Sequence, residues 1–375
     1  MQITSNFDGG NIDVVSAAKR TNLQVQIRND NDSEFFQWFY FRLSGAREQA
    51  CTIHIVNAGK ASYPKGFQDY KAVASYNRAD WFRVPTSFDG KRLTIKHKPE
   101  RDAVYYAYFA PYTMERHADL IAHCLMSPDV TGEVLGQTLD GQDLDLLRIG
   151  EPKRGRRVCW IIGRQHPGET MAEWWMEGLL ERLTDPDDAV ARQLLKRAVF
   201  YVVPNMNPDG SRRGHLRTNA AGVNLNREWN EPSMAKSPEV FLVRERMHKT
   251  GVDFCLDVHG DEGLPYNFVA GFEGIPSITD AQLALLEDYK ATLARVNPDF
   301  QTKRGYGKAP AGRANLAMCT NYVAEKFGCL AMTLEMPFKD ATDTAIPETG
   351  WSPARCRGLA WSCVDTLYAM LDRLR

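Results

Sequence analysis

Hydrophobic and polar residues alternate through much of the first third of the chain. In LQVQIR, Leu23, Val25 and Ile27 alternate with polar residues, which is the period of a strand with one buried face. The segment FFQWFYFRL (35–43) is aromatic on both faces, so as a strand it needs cover on both sides. Further strands are predicted in CTIHIVNAG, YKAVASYN, KRLTIKHK and AVYYAYFA. We therefore expect residues 1–112 to form an antiparallel β-sandwich domain.

The pattern changes at about residue 113, where helical periods begin to alternate with short apolar runs. The segments RVCWIIG, AVFYVVP, VDFCLDVHG and CLAMTLEMPF are typical of buried strands. Between the first two, TMAEWWMEGLLERL has its apolar residues on one helical face. This alternation predicts an α/β fold for residues 113–375.

Composition and charge narrow the classes of function. The chain has 375 residues, of which 43% are hydrophobic and 25% charged, so long disordered segments are not expected. Its 46 basic and 47 acidic residues give a net charge of -1, which disfavours binding to nucleic acid or to a membrane surface. No signal peptide or membrane-spanning segment is evident, so the expected location is cytoplasmic.

The eight cysteines contain no CxxC pair and several lie in apolar, strand-like runs. We expect buried free thiols rather than disulfides or a thiolate metal site.

The segment QHPGETMAEW (165–174) places His166 and Glu169 where a buried strand gives way to a helix. Three residues apart on a first helical turn, the two side chains can share a metal ion. The same short pattern also fits a glutamate that stabilises a helix N-terminus beside a histidine in a turn. A third ligand is available in His259, at the end of the strand DFCLDVHG, because open α/β sheets bind ligands beyond the carboxyl ends of their strands. Zinc held by three such ligands keeps a fourth position for water, which is typical of catalytic sites.

The sequence allows two interpretations for each of two carboxylates near these ligands. Asp257 shares a strand face with His259, and it either orients that imidazole or is a plain structural carboxylate. Glu335 is a charged residue in the apolar strand LAMTLEMPF, where burial without a partner would cost several kcal/mol. A position beside a metal ion, as a catalytic base, or a salt bridge to an arginine would each offset that cost.

The segment NPDGSRRGHLRTNAAGVNLNREW is rich in turn formers and arginines. Arg217 and Arg227 offer planar forks that match a carboxylate, and Asn224 and Asn226 add neutral donors. By itself the segment would be a solvated loop, but beside a zinc site it is typical of a binding site for a free carboxylate. The role of His215 stays open because of its nearness to Arg217.

The motifs HPGE, NPDG, NLNREW, DVHG and TLEMP, in this order, resemble those of the zinc metallocarboxypeptidases, the family that contains pancreatic carboxypeptidase A. FFQWFYFRL and YAYFAPYT are similar to the N-terminal β-domain of the cytosolic carboxypeptidase branch, so the resemblance spans nearly the whole chain. It implies a mixed-sheet catalytic domain and one Zn²⁺ per chain, held by His166, Glu169 and His259. It also implies that Glu335 is the general acid/base in the attack of zinc-activated water on the terminal amide.

The resemblance further implies substrate-binding roles. Asn226 and Arg227 would bind the terminal α-carboxylate, and Arg217 would stabilise the oxyanion. Pancreatic-type enzymes carry an arginine where this chain has Gly168, so Arg217 would act without it. They also have a tyrosine that closes on the substrate; Tyr322 stands at a different spacing and is not assigned that role.

Substrate preference is a separate hypothesis. Peptide or protein C-termini are the expected substrates, with glutamate or branched glutamate preferred because TKRGYGKAPAGR places four basic residues ahead of the catalytic strand: Lys303, Arg304, Lys308 and Arg313. A solvated loop explains the same charges. Two alternatives remain: a zinc amidohydrolase of small acyl amino acids, and a non-catalytic peptide-binding protein.

Overall fold

The alternating segments of the first third of the chain fold into two five-stranded sheets in a computed structural model, which describes residues 1–374. The strands are β1 (Gln2–Thr4), β2 (Asp13–Ser16), β3 (Leu23–Gln26), β4 (Tyr40–Ser44), β5 (Cys51–Ile55), β6 (Val73–Ser75), β7 (Phe82–Arg83), β8 (Thr86–Phe88), β9 (Leu93–His97) and β10 (Ala103–Ala107). The strand orders are β1-β4-β10-β6-β7 and β2-β3-β5-β9-β8. His97 of one sheet bonds the hydroxyl of Tyr106 of the other at 2.9 Å, so the sheets pack face to face.

The predicted antiparallel N-terminal domain is confirmed, with one addition and one shorter strand. β3 and β5 pair in parallel, because the chain crosses to the other sheet through β4 between them. β4 begins at Tyr40 rather than at residue 35, and residues 35–39 are not in a strand. In that segment the side chain of Gln37 bonds both backbone groups of Tyr63, so the segment binds a neighbouring loop instead of a strand.

The second part of the chain forms one seven-stranded mixed sheet with helices, as predicted. Its strands are β11 (Val130–Gln137), β12 (Asp143–Ile149), β13 (Arg157–Gly163), β14 (Ala198–Val203), β15 (Phe254–Asp261), β16 (Phe268–Ala270) and β17 (Leu330–Pro337), in the order β11-β12-β14-β13-β15-β17-β16. The central strands β14, β13, β15 and β17 are parallel, and the outer pairs are antiparallel. The helices are α1 (Met114–Cys124), α2 (Met171–Thr184), α3 (Ala189–Arg197), α4 (Pro208–Arg213), α5 (Pro238–Thr250), α6 (Asp280–Val296), α7 (Cys319–Phe327) and α8 (Pro353–Met370).

The eight cysteines are all buried, and none of them forms a disulfide within residues 1–374, as predicted from their spacing. Within residues 1–374, every helix is too short or too polar to cross a membrane.

Helix α2 is more deeply buried than its sequence pattern indicates. Every residue from Met171 to Leu180 is buried, including the acidic side chains of its polar face. Glu173 is paired there with His117 of α1 at 2.8 Å and with Arg164, while Asp145 lies 3.2 Å from the other imidazole nitrogen. The polar face of α2 therefore carries an ion-pair network beneath α1 rather than solvent-exposed charge.

This network predicts a pH-dependent contribution to stability. Burial alone would lower the pKa of His117, but its hydrogen bonds with Asp145 and Glu173 raise the pKa to about 9. That pKa exceeds the value of about 6.5 in an unfolded chain, so the protonated imidazole stabilises the folded state by about 3 kcal/mol. This stabilisation is complete below pH ~6.5 and is lost as the pH rises through the pKa of the folded protein. Urea unfolding across this pH range is expected to show a steeper loss of unfolding free energy for the unmodified protein than for His117→Gln. Equal slopes would contradict the assignment.

Candidate active site

Three buried side chains meet at the edge where the central parallel strands end. His166 and Glu169 lie in the connection between β13 and α2, and His259 lies near the end of β15. The Nδ1 atoms of both imidazoles are 2.7 Å from the carboxylate of Glu169, one at each oxygen. One ligand atom from each residue lies within 4.8 Å of the others, and none of the three residues is more than 5% exposed. The structure thus brings the three predicted ligands to one point.

The HPGE segment forms a tight turn just before α2 rather than the first turn of the helix. The backbone N–H of Glu169 donates to the carbonyl of His166 at 3.1 Å, which places both side chains on the same side. Gly168 donates its N–H to the carbonyl of Leu216, and a Cβ at this glycine would lie 2.9 Å from that oxygen. The loop that contains Leu216 therefore occupies the space that any larger side chain at position 168 would need.

The imidazoles are oriented by a second layer of polar groups. Nε2 of His259 lies 3.0 Å from Oδ2 of Asp257, and Nε2 of His166 lies 3.0 Å from Oδ1 of Asn224. That amide oxygen also accepts the backbone N–H of Asn226, so it is an acceptor toward the histidine. Each ring can therefore donate through Nε2, which leaves Nδ1, the atom nearest Glu169, as the one that would bind a metal ion, as second-layer partners arrange at metal sites. For Asp257, this geometry favours the orienting role over the plain structural one.

The cluster has the donor chemistry that zinc requires. Two imidazole nitrogens and one carboxylate match the three-ligand sets of catalytic zinc sites. Burial alone would raise the pKa of Glu169, but the neighbouring imidazoles of His166 and His259 lower it, so the group is a carboxylate. All three residues line a cavity, which leaves one side of the cluster open to a further ligand. Among residues 1–374, no other three His, Cys, Asp or Glu side chains are grouped closely enough to hold an ion.

Glu335 faces the same cavity from the adjacent strand. It pairs in register with His259 across β15 and β17, and it is 6% exposed. Burial raises the pKa of this carboxyl well above its usual range. Its Oε2 atom has no hydrogen-bond partner within the described residues, and no salt bridge to an arginine satisfies it there. The geometry therefore favours the role beside a cation over the salt bridge.

Tyr306 is a candidate functional residue that the sequence pattern did not predict. The hydroxyl of Tyr306 lies 2.6 Å from Oδ2 of Asp261 and 3.2 Å from Oε1 of Glu335, and the residue is 50% exposed at the cavity. Its only sequence signal is a tyrosine between two glycines in RGYGK. Tyr322 instead bonds His248 at 2.9 Å and is not among the cavity residues.

The cavity has a volume of about 710 Å³ and is lined from both parts of the chain. Arg217, Asn226 and Arg227 line it, together with residues 62–66 of the N-terminal domain. Oδ1 of Asn226 accepts the backbone N–H of Cys319 at 2.9 Å, which leaves its amide nitrogen without a protein partner in the described chain. The structure thus brings Arg217, Asn226 and Arg227 to the cavity of the three proposed ligands.

The basic residues of the segment 303–313 lie beside this cavity rather than in it. All four line an adjoining cavity of about 750 Å³ that shares Tyr306 with the first. Lys308 is 3.3 Å from the carboxylate of Glu287, and Arg304 is 3.3 Å from that of Asp343. Half of the predicted basic cluster is therefore already paired with carboxylates of the chain.

Two family models match the chain. Residues 3–109 match the cytosolic carboxypeptidase N-terminal domain, and residues 121–353 match the zinc carboxypeptidase domain.

Relatives of known sequence agree with these matches. An uncharacterized protein from Zymomonas mobilis is 52% identical over 374 residues, which covers 100% of this chain and 97% of that protein. Cytosolic carboxypeptidase 1 of Xenopus laevis is 30% identical over 72% of this chain and 26% of its own length. Mouse cytosolic carboxypeptidase 6 is 30% identical over 71% of this chain and 54% of its own length. The chain thus spans only about a quarter to a half of these two animal proteins.

Two solved structures are similar over almost the full length. A metallo-carboxypeptidase from Burkholderia cenocepacia is 47% identical, with a TM-score of 0.97 and 99% of each chain covered. A metallo-carboxypeptidase from Pseudomonas aeruginosa, solved with (2-guanidinoethylmercapto)succinic acid, is 45% identical, with a TM-score of 0.98 and 100% of each chain covered. The chain belongs to the zinc carboxypeptidase family and carries the N-terminal domain of its cytosolic carboxypeptidases.

Proposed function

We propose that this peptidase is a zinc-dependent metallocarboxypeptidase that releases the C-terminal residue of peptides or proteins. The observation that carries the proposal is the meeting of His166, Glu169 and His259 at one cavity, with Glu335 in register beside them. These three ligands would hold one zinc ion per chain. The ion would supply Lewis acidity, which lowers the pKa of water and polarises a carbonyl group.

The residues around the ligands have complementary tasks. Glu335, whose pKa is raised by burial, takes a proton from water and passes it to the leaving amine. Arg217 stabilises the negative charge that develops on the carbonyl oxygen. Asn226 and Arg227 bind the free α-carboxylate, and this restricts cleavage to the last peptide bond. Tyr306 is placed to close over the bound residue, because its hydroxyl already reaches Glu335.

An acidic C-terminal residue is the proposed substrate preference. Arg304 and Lys308 are paired with carboxylates of the chain, whereas the side chains of Lys303 and Arg313 have no carboxylate partner within residues 1–374. Arg313 lines the adjoining cavity, and its planar fork matches a carboxylate. We therefore assign Arg313 the recognition of the substrate's side-chain carboxylate. Eight buried cysteines without a disulfide fit a reducing compartment such as the cytoplasm.

A residue-release assay with matched peptides tests the function and the preference together. Peptides that end in glutamate are expected to be cleaved faster than those that end in leucine or lysine, and amidated peptides should not be cleaved. Arg313→Gln should reduce the advantage of glutamate over leucine by about tenfold in kcat/KM, the effect of one charge-assisted hydrogen bond. Arg304→Gln is the control, because Arg304 already bonds Asp343. Faster release of leucine than of glutamate by the unmodified protein would contradict the acidic preference.

The same assay distinguishes the remaining alternative. Hydrolysis of an acyl-aspartate without hydrolysis of any peptide would favour an amidohydrolase of small acyl amino acids.

A further inference from the structure

We propose that two residues of the N-terminal domain, Asp30 and Phe35, position Arg217, so that this domain forms part of the active site. The inference rests on the proposed function, in which Arg217 stabilises the oxyanion. Arg217 lies in a loop between α4 and the turn that contains Asn226. That loop makes a series of hydrogen bonds with the N-terminal domain.

Asp30 fixes the backbone of the loop at Arg217 itself. Its carboxylate accepts the backbone N–H groups of Leu216, Arg217 and Thr218 at 2.6, 2.7 and 2.9 Å. The hydroxyl of Thr218 donates to the same carboxylate at 3.1 Å. Asp30 is only 2% exposed, so these bonds are shielded from water. Three consecutive amides aimed at one carboxylate fix the direction in which the side chain between them leaves the backbone.

Two glycines allow the loop to approach the N-terminal domain closely. Gly214 and Gly222 have φ angles of +73° and +71°. A Cβ at Gly214 would lie 2.7 Å from the carbonyl oxygen of Gly9, and one at Gly222 would lie 2.5 Å from that of Asp32. The loop therefore rests backbone against backbone on the domain, with little freedom to shift.

His215 has a structural role in this contact. Its Nε2 accepts the backbone N–H of Asn31 at 3.1 Å, and its Nδ1 lies 3.0 Å from the carbonyl of Thr218. The N–H donor at Nε2 and the carbonyl acceptor at Nδ1 hold the ring in one orientation. These contacts favour a structural role for His215, which attaches the loop to the N-terminal domain.

The guanidinium of Arg217 is flanked by aromatic rings of the N-terminal domain. Its central carbon lies 5.4 Å from the ring centre of Phe35 and 5.7 Å from that of Tyr63. Gln37 bonds the N–H and carbonyl of Tyr63 at 2.8 and 3.1 Å, which fixes the backbone that carries the second ring. No carboxylate of the described residues pairs with this guanidinium, so its N–H donors remain available at the cavity. The N-terminal domain thus sets both the backbone and the side-chain position of Arg217.

A double-mutant cycle separates positioning from simple attachment of the two domains. Asp30→Asn keeps the side-chain shape but replaces one acceptor oxygen by an amide group. It is expected to lower kcat for peptide hydrolysis by about tenfold, with KM changed by less than about twofold, because oxyanion stabilisation acts on the transition state. In an Arg217→Ala background, Asp30→Asn should change kcat by less than about twofold. An equal loss of kcat in both backgrounds would overturn the proposal.

Asp8→Asn is the matched control. Asp8 also lies in the N-terminal domain and accepts a backbone N–H of the catalytic part, that of Met114 at 2.6 Å, but its carboxylate does not bind the amides of residues 216–218. This variant should keep kcat unchanged even if it unfolds more easily. A tenfold fall in kcat for Asp8→Asn would show that any weakened domain contact has the same effect, and it would overturn the proposal.

Two further measurements keep the test decisive. If Asp30→Asn does not fold, Phe35→Leu provides a second variant, because it removes one ring beside Arg217. Phe35→Leu should lower kcat about threefold in the unmodified protein and leave it unchanged in Arg217→Ala. No change in kcat in either background would overturn the proposal. Hydrogen exchange needs no activity: Asp30→Asn should speed exchange of the amides of residues 216–218. Unchanged exchange would overturn the role of Asp30, whereas an unmodified protein without peptidase activity would overturn only the proposed function.

Discussion

Replacement of Glu335 by glutamine is expected to lower kcat for release of a C-terminal residue by about 10³-fold. The glutamine side chain keeps the size of the carboxylic acid but cannot take up and return a proton. Glu335 is buried, lies in register with His259 and has one carboxyl oxygen without a hydrogen-bond partner in the described chain. The variant should therefore fold and retain zinc while it loses turnover, as measured by release assays and metal analysis on the same sample.

Glu239→Gln is the control for this prediction. Glu239 is fully buried, and burial raises its pKa to about 8, but it bonds Asn219 and lies outside the cavity. Its replacement should leave kcat close to that of the unmodified protein. If Glu335→Gln also retained kcat within about tenfold, another group would have to move the proton.

His166→Ala is expected to lose both bound zinc and peptidase activity. In the proposed site His166 would be one of three protein ligands, and no further His, Cys, Asp or Glu within residues 1–374 lies close enough to replace it. Zinc content should fall from about one ion per chain to a small fraction, and peptide release should fall with it. Metal analysis after dialysis, combined with the release assay, measures both quantities.

His248→Ala is the comparison, because this imidazole bonds the hydroxyl of Tyr322 and is not among the cavity residues. It should retain zinc and activity. Stripping the unmodified protein with a chelator should reproduce the effect of His166→Ala, and added zinc should restore activity only to the unmodified protein. Full zinc content in His166→Ala would rule out this ligand set.

The ligand cluster could be predicted because each of its parts is encoded locally. His166 and Glu169 are joined by a turn of four residues, and His259 and Glu335 lie near the ends of apolar strands whose two faces are both buried. Parallel strands in one sheet bring their carboxyl ends to the same edge, so three strand-end motifs meet without further information. The N-terminal sheets were predictable for the same reason, since alternation over a few residues specifies a strand face.

Other features depended on contacts between distant segments. The parallel pairing of β3 with β5 follows from a crossing between sheets, which alternation does not record. The placement of Lys303 and Lys308 beside the cavity, rather than in it, depends on how a polar loop folds over the sheet. Tyr306 reaches Glu335 from the same loop, where no periodic pattern constrains the backbone.

The sequence alone determined which residue types stand near the strand ends, and hence the family, the two kinds of sheet and the three residues proposed as ligands at the candidate site. Only the tertiary structure decided that Asp30, far from Arg217 in the chain, holds the backbone of that arginine, and that residues 62–66 line the same cavity. The physical reason is the range of the interactions. Strand and turn preferences arise from neighbouring residues, whereas a carboxylate that accepts amides 186 to 188 positions away is specified only when both segments are packed in place.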